Sequence, residues 1–72
     1  MEAIGFLELN SIALGVESTD YILKEAAVNL LFAKASCPGK YYILFNGDVS
    51  AVQASLNRGA KNGGEHVVDK CV

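Results

Sequence analysis

Charge is scarce in this sequence. Only 19% of its 72 residues are Asp, Glu, Lys or Arg, whereas 51% are hydrophobic. A domain of this size buries a limited fraction of its surface, so charged residues normally cover much of it. The surplus of apolar residues therefore indicates either a membrane segment or an apolar surface reserved for other subunits.

Long hydrophobic runs are also missing. The longest uncharged apolar run extends from Ala26 to Ala33 and is interrupted by Asn29. A membrane-spanning helix needs roughly 20 apolar residues, which is far more than this run contains. We therefore expect no membrane partner, and we expect the apolar surface to contact other protein chains.

Neither a basic cluster nor a secretory signal is present. The six basic residues are scattered and the formal net charge is −2, whereas phosphate backbones are bound by clustered Lys and Arg. The first residues lack the charged-then-apolar layout of a signal peptide. We therefore expect no nucleic-acid partner and a cytoplasmic chain with reduced thiols. A disulfide between Cys37 and Cys71 is chemically feasible but is not expected in that compartment.

Motifs for catalysis are absent too, since the sequence has no nucleophile–base pair, carboxylate pair or Cys-x-x-Cys motif. Asp48 is interpreted as a helix cap rather than a catalytic acid, and Asn46-Gly47 as a turn rather than a phosphate cradle. His66 has no partner at metal-ligand spacing, so we expect a partly exposed strand residue. Cys71 is expected to be a buried, inert thiol. The chain is therefore predicted not to be an enzyme.

The hydrophobic pattern predicts four strands and two helices in the order β-α-β-β-α-β. The strands are expected at 3–9, 28–34, 41–45 and 65–72, and the helices at 12–27 and from 49 to about 63. Each helix has an apolar face at helical spacing. These faces are Ile12, Val16, Leu23 and Ala27 in the first helix, and Val49, Val52, Leu56 and Ala60 in the second. The result is an α+β fold with a mainly antiparallel four-stranded sheet.

Local residues predict where these elements begin and end. Asn10 or Ser11 can cap the first helix, and Gly63-Gly64 can end the second. The turn at 36–39 contains Pro38 and Gly39, and it joins two strands into a hairpin. In the strand that follows, Tyr41 and Tyr42 point to opposite faces, so at most one of them serves the core.

Three motifs then resemble bacterial microcompartment (BMC) shell proteins in order and spacing, and the similarity covers residues 3–72. They match the first helix, the pore loop and the start of the second helix of that family. The motifs are Ser11-Ile12-Ala13-x-Gly15 followed by Thr19-Asp20-x-x-Leu23-Lys24, then Cys37-Pro38-Gly39-Lys40, then Gly47-Asp48-Val49-x-Ala51-Val52. The Cys-Pro-Gly-Lys loop is most similar to the first domain of the tandem-domain trimeric, iron–sulfur-bearing shell proteins of propanediol-utilisation compartments.

The resemblance implies a single BMC domain over residues 1–72. The domain is expected to be truncated at its C-terminus, because the family domain is longer. It also implies a structural shell protein of a cytoplasmic microcompartment, which tiles as a cyclic trimer of tandem domains or hexamer around a central pore. The pore would pass metabolites or electrons. The expected partners are further copies of the chain and other shell proteins.

The resemblance further implies a pore loop at Ser36, Cys37, Pro38 and Gly39, in which Cys37 would supply one ligand per subunit to a shared [4Fe-4S] cluster. Such a cluster takes four thiolates, so threefold symmetry would leave one iron free, and sixfold symmetry would bring too many cysteines together. The alternative is a free turn cysteine. Lys34 and Lys40 would offset the cluster's charge or would simply be solvated.

Lys24 matches the family's edge lysine, which lies against its equivalent across a tile boundary; the alternative is an exposed helix lysine.

Two other functions stay open from the sequence. One is a small ligand-sensing α+β regulatory domain that binds a metabolite between subunits. The other is a redox carrier in which Cys37 serves electron transfer rather than assembly.

Overall fold

The computed structural model describes residues 2–36 and 38–72. It contains four strands, two helices and a short 3₁₀ turn, and it confirms the predicted order β-α-β-β-α-β. The elements are β1 (Glu2–Leu9), α1 (Ile12–Glu25), β2 (Val28–Ser36), β3 (Lys40–Asp48), α2 (Val49–Gly63), the turn Gly64–His66 and β4 (Val67–Cys71). Within these two described ranges, no helix has the length and apolar character that crossing a membrane requires.

The strands form one antiparallel sheet in the order β2-β3-β1-β4. β3 pairs with the whole of β1, whereas β4 pairs only with Phe6–Leu9. β2 carries an irregularity between Leu30 and Phe32 in its pairing with β3. Because β2 and β4 lie at the two edges, each has one side without a strand partner inside the described chain.

Both helices cover the same face of the sheet, and the core lies between them and that face. Alternate residues of the central strands point towards the helices and are fully buried, as the two-residue repeat of a strand requires. The sheet contributes Leu7, Leu9, Ile43 and Phe45, and the helices contribute Ile22, Val52 and Leu56. The opposite face of the sheet is not covered by a helix of the described chain.

Small residues bring the two helices close together. A side chain at Gly59 of α2 would collide with Ile22 of α1. Two buried serines cross the contact: the Ser18 hydroxyl donates to the Gly59 carbonyl at 3.2 Å, and the Ser55 hydroxyl donates to the Ile22 carbonyl at 3.0 Å. The Asn62 amide in turn donates to Ser18 Oγ at 3.0 Å. Since buried hydroxyls need partners, these bonds allow serine to replace larger apolar residues here.

The predicted apolar face of α1 is wrong. Ile12, Val16 and Leu23 are 44%, 57% and 43% exposed, and Ala27 lies beyond the end of the helix at Glu25. The buried residues of α1 are instead Gly15, Ser18 and Ile22. The reason is that α2 approaches so closely that mainly small side chains fit between the helices, which turns the larger aliphatic residues outwards.

The other helix predictions are confirmed. Val52 and Leu56 are buried on the predicted face of α2, and Val49 and Ala60 are partly buried there. Of the two candidate caps for α1, Ser11 takes the role, since its hydroxyl accepts from the Leu14 amide at 3.2 Å. α2 ends at Gly63, and the next residue, Gly64, adopts a φ of +56°.

The last strand differs from the prediction. It begins at Val67, two residues later than expected, because Gly64–His66 form a 3₁₀ turn. His66 is therefore an exposed turn residue rather than a strand residue, and its Nδ1 lies 3.0 Å from Asn10 Oδ1. Cys71 was expected to be buried, but its thiol is free and exposed. The reason is that β4 is an edge strand, and Cys71 lies opposite Phe6 on the face of the sheet away from the helices.

Candidate functional site

The β2–β3 turn carries the residues predicted as a pore loop. The two strands pair as far as Ser36 and Lys40, so the hairpin closes directly around the turn. Ser36 is half-buried at the end of β2, and Pro38 and Gly39 are exposed. Gly39 has a φ of +70°, a backbone conformation that glycine adopts without steric cost. Cys37 lies outside the described residues, so the predicted cluster ligand stays a prediction.

One of the two lysines near the turn is held in an ion pair. Lys40 Nζ lies 3.3 Å from Glu8 Oε2, and the two side chains are 37% and 16% exposed. Lys34 is placed differently, since its Nζ lies 5.2 Å from the centre of the Phe32 ring. The sequence did not indicate Glu8 as a site residue. The available signal was an acidic side chain between two buried leucines of a strand.

The uncovered face of the sheet is aromatic next to this ion pair. Tyr42 stacks on Phe6 with ring centres 6.0 Å apart, whereas Tyr41 packs against the core and over Gly15. This confirms that the two tyrosines serve opposite faces. Tyr42 lies opposite Glu8 in the register, so the stack and the ion pair are neighbours on the same surface.

Large apolar side chains are exposed on several elements. They lie on the outer side of α1, on the edge strands β2 and β4, on the central strand β1 and just after β4. The residues are Ile4, Ile12, Val16, Leu23, Leu30, Leu31, Phe32, Val68 and Val72, which are between 38% and 59% exposed. The apolar surface expected from the composition is therefore present on the folded domain.

Lys24, the predicted edge residue, lies in the last turn of α1 and is exposed. Its Nζ forms an ion pair with Asp20 Oδ2 at 2.9 Å, one helical turn earlier, with side chains that are 73% and 61% exposed. The hydrogen bond and the charge of Asp20 raise the pKa of Lys24 above its usual value. Lys24 is thus a charged surface group oriented by its own helix.

Asp48 occupies the N-cap position of α2, as predicted, although α2 receives no capping hydrogen bond from its side chain. Its Oδ2 accepts a hydrogen bond from the Ser50 hydroxyl at 3.1 Å, and this bond is the main reason that the pKa of Asp48 is lowered. Beside it, Asn46, Val49, Ile4 and Val72 help to line an open groove of about 590 Å³. The groove was not predicted from the sequence, because it depends on how the ends of β1 and β4 lie together.

Residues 2–36 and 38–72 contain no group of three or more His, Cys, Asp or Glu side chains that could hold a metal ion. A [4Fe-4S] cluster normally takes four thiolates. The described donor set of one subunit therefore does not fit the cluster, and a shared site would depend on Cys37 from several subunits.

Nearly the whole chain matches one known protein family. Residues 3–72 match the family model described as the BMC domain. The chain belongs to the BMC domain family. The resemblance that the three motifs indicated is thereby confirmed. The predicted fold is confirmed as well, because a solved microcompartment protein from Desulfitobacterium hafniense DCB superimposes on this BMC domain with a TM-score of 0.96 at 51% identity.

Similar proteins include shell proteins of two kinds of compartment. The bacterial microcompartment shell protein PduT of Citrobacter freundii is 49% identical over 71 residues. The carboxysome shell protein CcmK2 of Synechocystis sp. is 35% identical over 68 residues, covering 88% of this chain and 66% of that protein. This BMC domain is covered to 99% by both PduT and the Desulfitobacterium protein, but it spans only 39% of the length of each. PduT and CcmK2 are shell proteins rather than enzymes, in agreement with the prediction.

Proposed function

We propose that this BMC domain is a structural tile of a microcompartment shell, located in that shell, and that it assembles with further copies and with other shell proteins. The observation that carries the proposal is the exposure of large apolar side chains by a domain whose core is already formed. Such surface costs free energy in water, roughly 25 cal/mol per Å² of apolar area, and association recovers it. The shell-protein relatives support the same role.

The edge strand β2 is the part of this surface best suited to a direct test. Leu31 is 48% exposed and lies on an edge strand, where a charge prevents association without disturbing the core. We expect Leu31→Asp to convert an oligomer into a smaller species by native mass spectrometry. The matched control is Gln53→Asp, an exposed position on α2, which should leave the mass unchanged. A wild-type chain that stays monomeric at micromolar concentration would contradict the proposal.

Within the tile, we propose that Ser36, Cys37, Pro38 and Gly39 line a central pore of a cyclic trimer of tandem domains or a hexamer. The short hairpin supports this, because its exposed turn extends from the sheet, where symmetry-related copies can meet. We further propose that Cys37 supplies one thiolate per subunit to a [4Fe-4S] cluster, which would provide one-electron transfer through the shell.

The cluster is tested by anaerobic iron–sulfur reconstitution followed by visible absorption. A brown protein that becomes colourless with Cys37→Ser but keeps its colour with Cys71→Ser would support the assignment. Cys71 is the matched control because it is an exposed thiol on β4. A wild-type protein without absorption would leave Cys37 as a pore residue only, and colour in Cys37→Ser would move the ligand elsewhere.

We propose finally that Lys24 lies at the boundary between neighbouring tiles. Its exposure at the end of α1 and its orientation by Asp20 support this placement. Lys24→Ala should abolish extended sheets in electron micrographs, while the mass of the individual cyclic oligomer stays the same. Lys61→Ala, an exposed lysine in the last turn of α2, is the control and should still form sheets. Sheets of normal extent in Lys24→Ala would exclude the edge role.

A further inference from the structure

We propose that Glu8 is a specificity-determining residue of the β2–β3 turn, because it withholds the positive charge of Lys40 from solutes at that turn. This inference rests on the proposed pore function. It assigns to Glu8, a residue of a different strand, control over whether small anions are attracted. With the ion pair intact the turn does not favour anions; without it each subunit presents one additional cation.

The geometry of the ion pair carries the first step. Lys40 directly follows Gly39 and begins β3, and its side chain lies on the uncovered face of the sheet together with Glu8. Glu8 pairs with Tyr42, so Lys40 is its diagonal neighbour on the adjacent strand. The resulting contact of 3.3 Å directs the lysine away from the turn and along the sheet.

The burial of the carboxylate carries the second step. The Glu8 side chain is only 16% exposed, whereas that of Lys40 is 37% exposed. A carboxylate that has little contact with water interacts more strongly with a neighbouring cation than an exposed one does. Glu8 is therefore the more buried member of the pair, and its carboxylate holds the more exposed Lys40 ammonium group beside it.

The other charges on this surface do not replace Glu8. Asp69 lies opposite Glu8 on β4 and is exposed. Lys34 lies opposite Tyr42 on β2, with its ammonium group over the Phe32 ring. Lys34 is therefore charged with or without Glu8. The net positive charge at the turn then depends on whether Lys40 is paired with Glu8. Around a symmetry axis this difference is multiplied by the number of subunits.

The charge at the turn can be read from the reactivity of Cys37, which lies three residues before Lys40 in the sequence. The experiment uses the full chain without a reconstituted cluster, in a Cys71→Ser background. Cys37 is alkylated in parallel with anionic iodoacetate and neutral iodoacetamide. The ratio of the two rates reports the local potential, because the fraction of thiolate affects both reagents equally.

We expect Glu8→Gln to raise the iodoacetate-to-iodoacetamide ratio about twofold in dilute buffer, the effect of one unit charge roughly 10 Å away in water. The increase should shrink at high salt, since the screening length falls to about 3 Å at 1 M. In a Lys40→Met background, Glu8→Gln should raise the ratio less, because it removes only the carboxylate's own charge and releases no lysine. Glu8→Asp, which keeps the charge but shortens the side chain, should give an intermediate ratio and covers the case in which Glu8→Gln fails to fold.

An unchanged ratio in Glu8→Gln and Glu8→Asp would overturn the proposal, and so would an equal increase in the Lys40→Met background. Asp69→Asn is the matched control, since it removes a carboxylate from the same surface. An equal increase in that variant would mean a general field rather than a specific ion pair, and would also overturn the proposal. Native mass spectrometry of the same samples reports assembly separately from the rate ratio, so failure of this proposal is distinguishable from failure to form a tile.

Discussion

Gly59→Ala tests whether close contact between α1 and α2 determines the stability of this BMC domain. In an isolated helix the change would be favourable, because alanine is about 1 kcal/mol better than glycine. Here a β-carbon at position 59 would lie 2.7 Å from Ile22 Cγ1, 2.8 Å from Ile22 Cδ1 and 3.3 Å from Leu7 Cδ2. Both neighbours are completely buried.

The magnitude follows from these two opposing effects. Forcing an additional methyl group into a packed core costs about 1–3 kcal/mol, and the gain in helix propensity offsets about 1 kcal/mol of this. We therefore expect a net loss of about 1 kcal/mol in the free energy of unfolding, or a decrease in Tm of roughly 4–8 °C for a domain of this size.

Urea and thermal denaturation at one fixed protein concentration measure this loss, because association would otherwise shift the apparent stability. Asn57→Ala, at an exposed position of the same helix, is the control and should be neutral or slightly stabilising. In an Ile22→Val background, which lacks Cδ1 but keeps Cγ1, Gly59→Ala should cost less than in the wild type, since one of the two closest contacts is removed. A Gly59→Ala protein as stable as Asn57→Ala would refute the reasoning.

Two further predictions concern hydroxyl groups. Ser18→Ala should lower the free energy of unfolding by about 1–2 kcal/mol in urea titrations, because the buried Gly59 carbonyl loses its donor and the partly buried Asn62 amide loses its acceptor; an unchanged midpoint would contradict this. Ser50→Ala should raise the pKa of Asp48 towards the ordinary range of an aspartate, as measured by NMR, because it removes the Ser50 hydroxyl's hydrogen bond to the carboxylate. A carboxyl with a depressed pKa stabilises the fold above its unfolded pKa and loses this contribution as the pH falls through its folded pKa. The variant should therefore have the lower Tm at neutral pH and match the wild type in strong acid; equal Tm values throughout would count against it.

Local sequence signals were sufficient for much of the fold. The face of α2 that contains Val52 and Leu56 repeats at helical spacing, and both residues are buried as expected. The hairpin followed from Pro38 and Gly39 between two apolar strands. These features depend on residues that are near one another in the chain, so the pattern and the structure report the same interactions.

The inward face of α1 could not be predicted in this way. Hydrophobicity favours Ile12 and Val16 over Gly15 and Ser18, but the structure buries the smaller pair. Only the proximity of α2 makes small side chains the better fit, and that proximity is a property of the packed domain. The exposed aliphatic residues of α1 are then available for the other subunits that the composition indicated.

The candidate site likewise has features that the sequence predicted and features that it did not. The element order, the turn that contains Gly39 and the surplus of apolar residues could be predicted without a structure, since each depends on composition or on neighbouring residues. The exposure of Cys71 and the pairing of Lys40 with Glu8 could not be predicted and follow from how the strands pack. An edge strand and a diagonal contact between β1 and β3 exist only once the strands are in register, because residues distant in the chain become neighbours through that pairing.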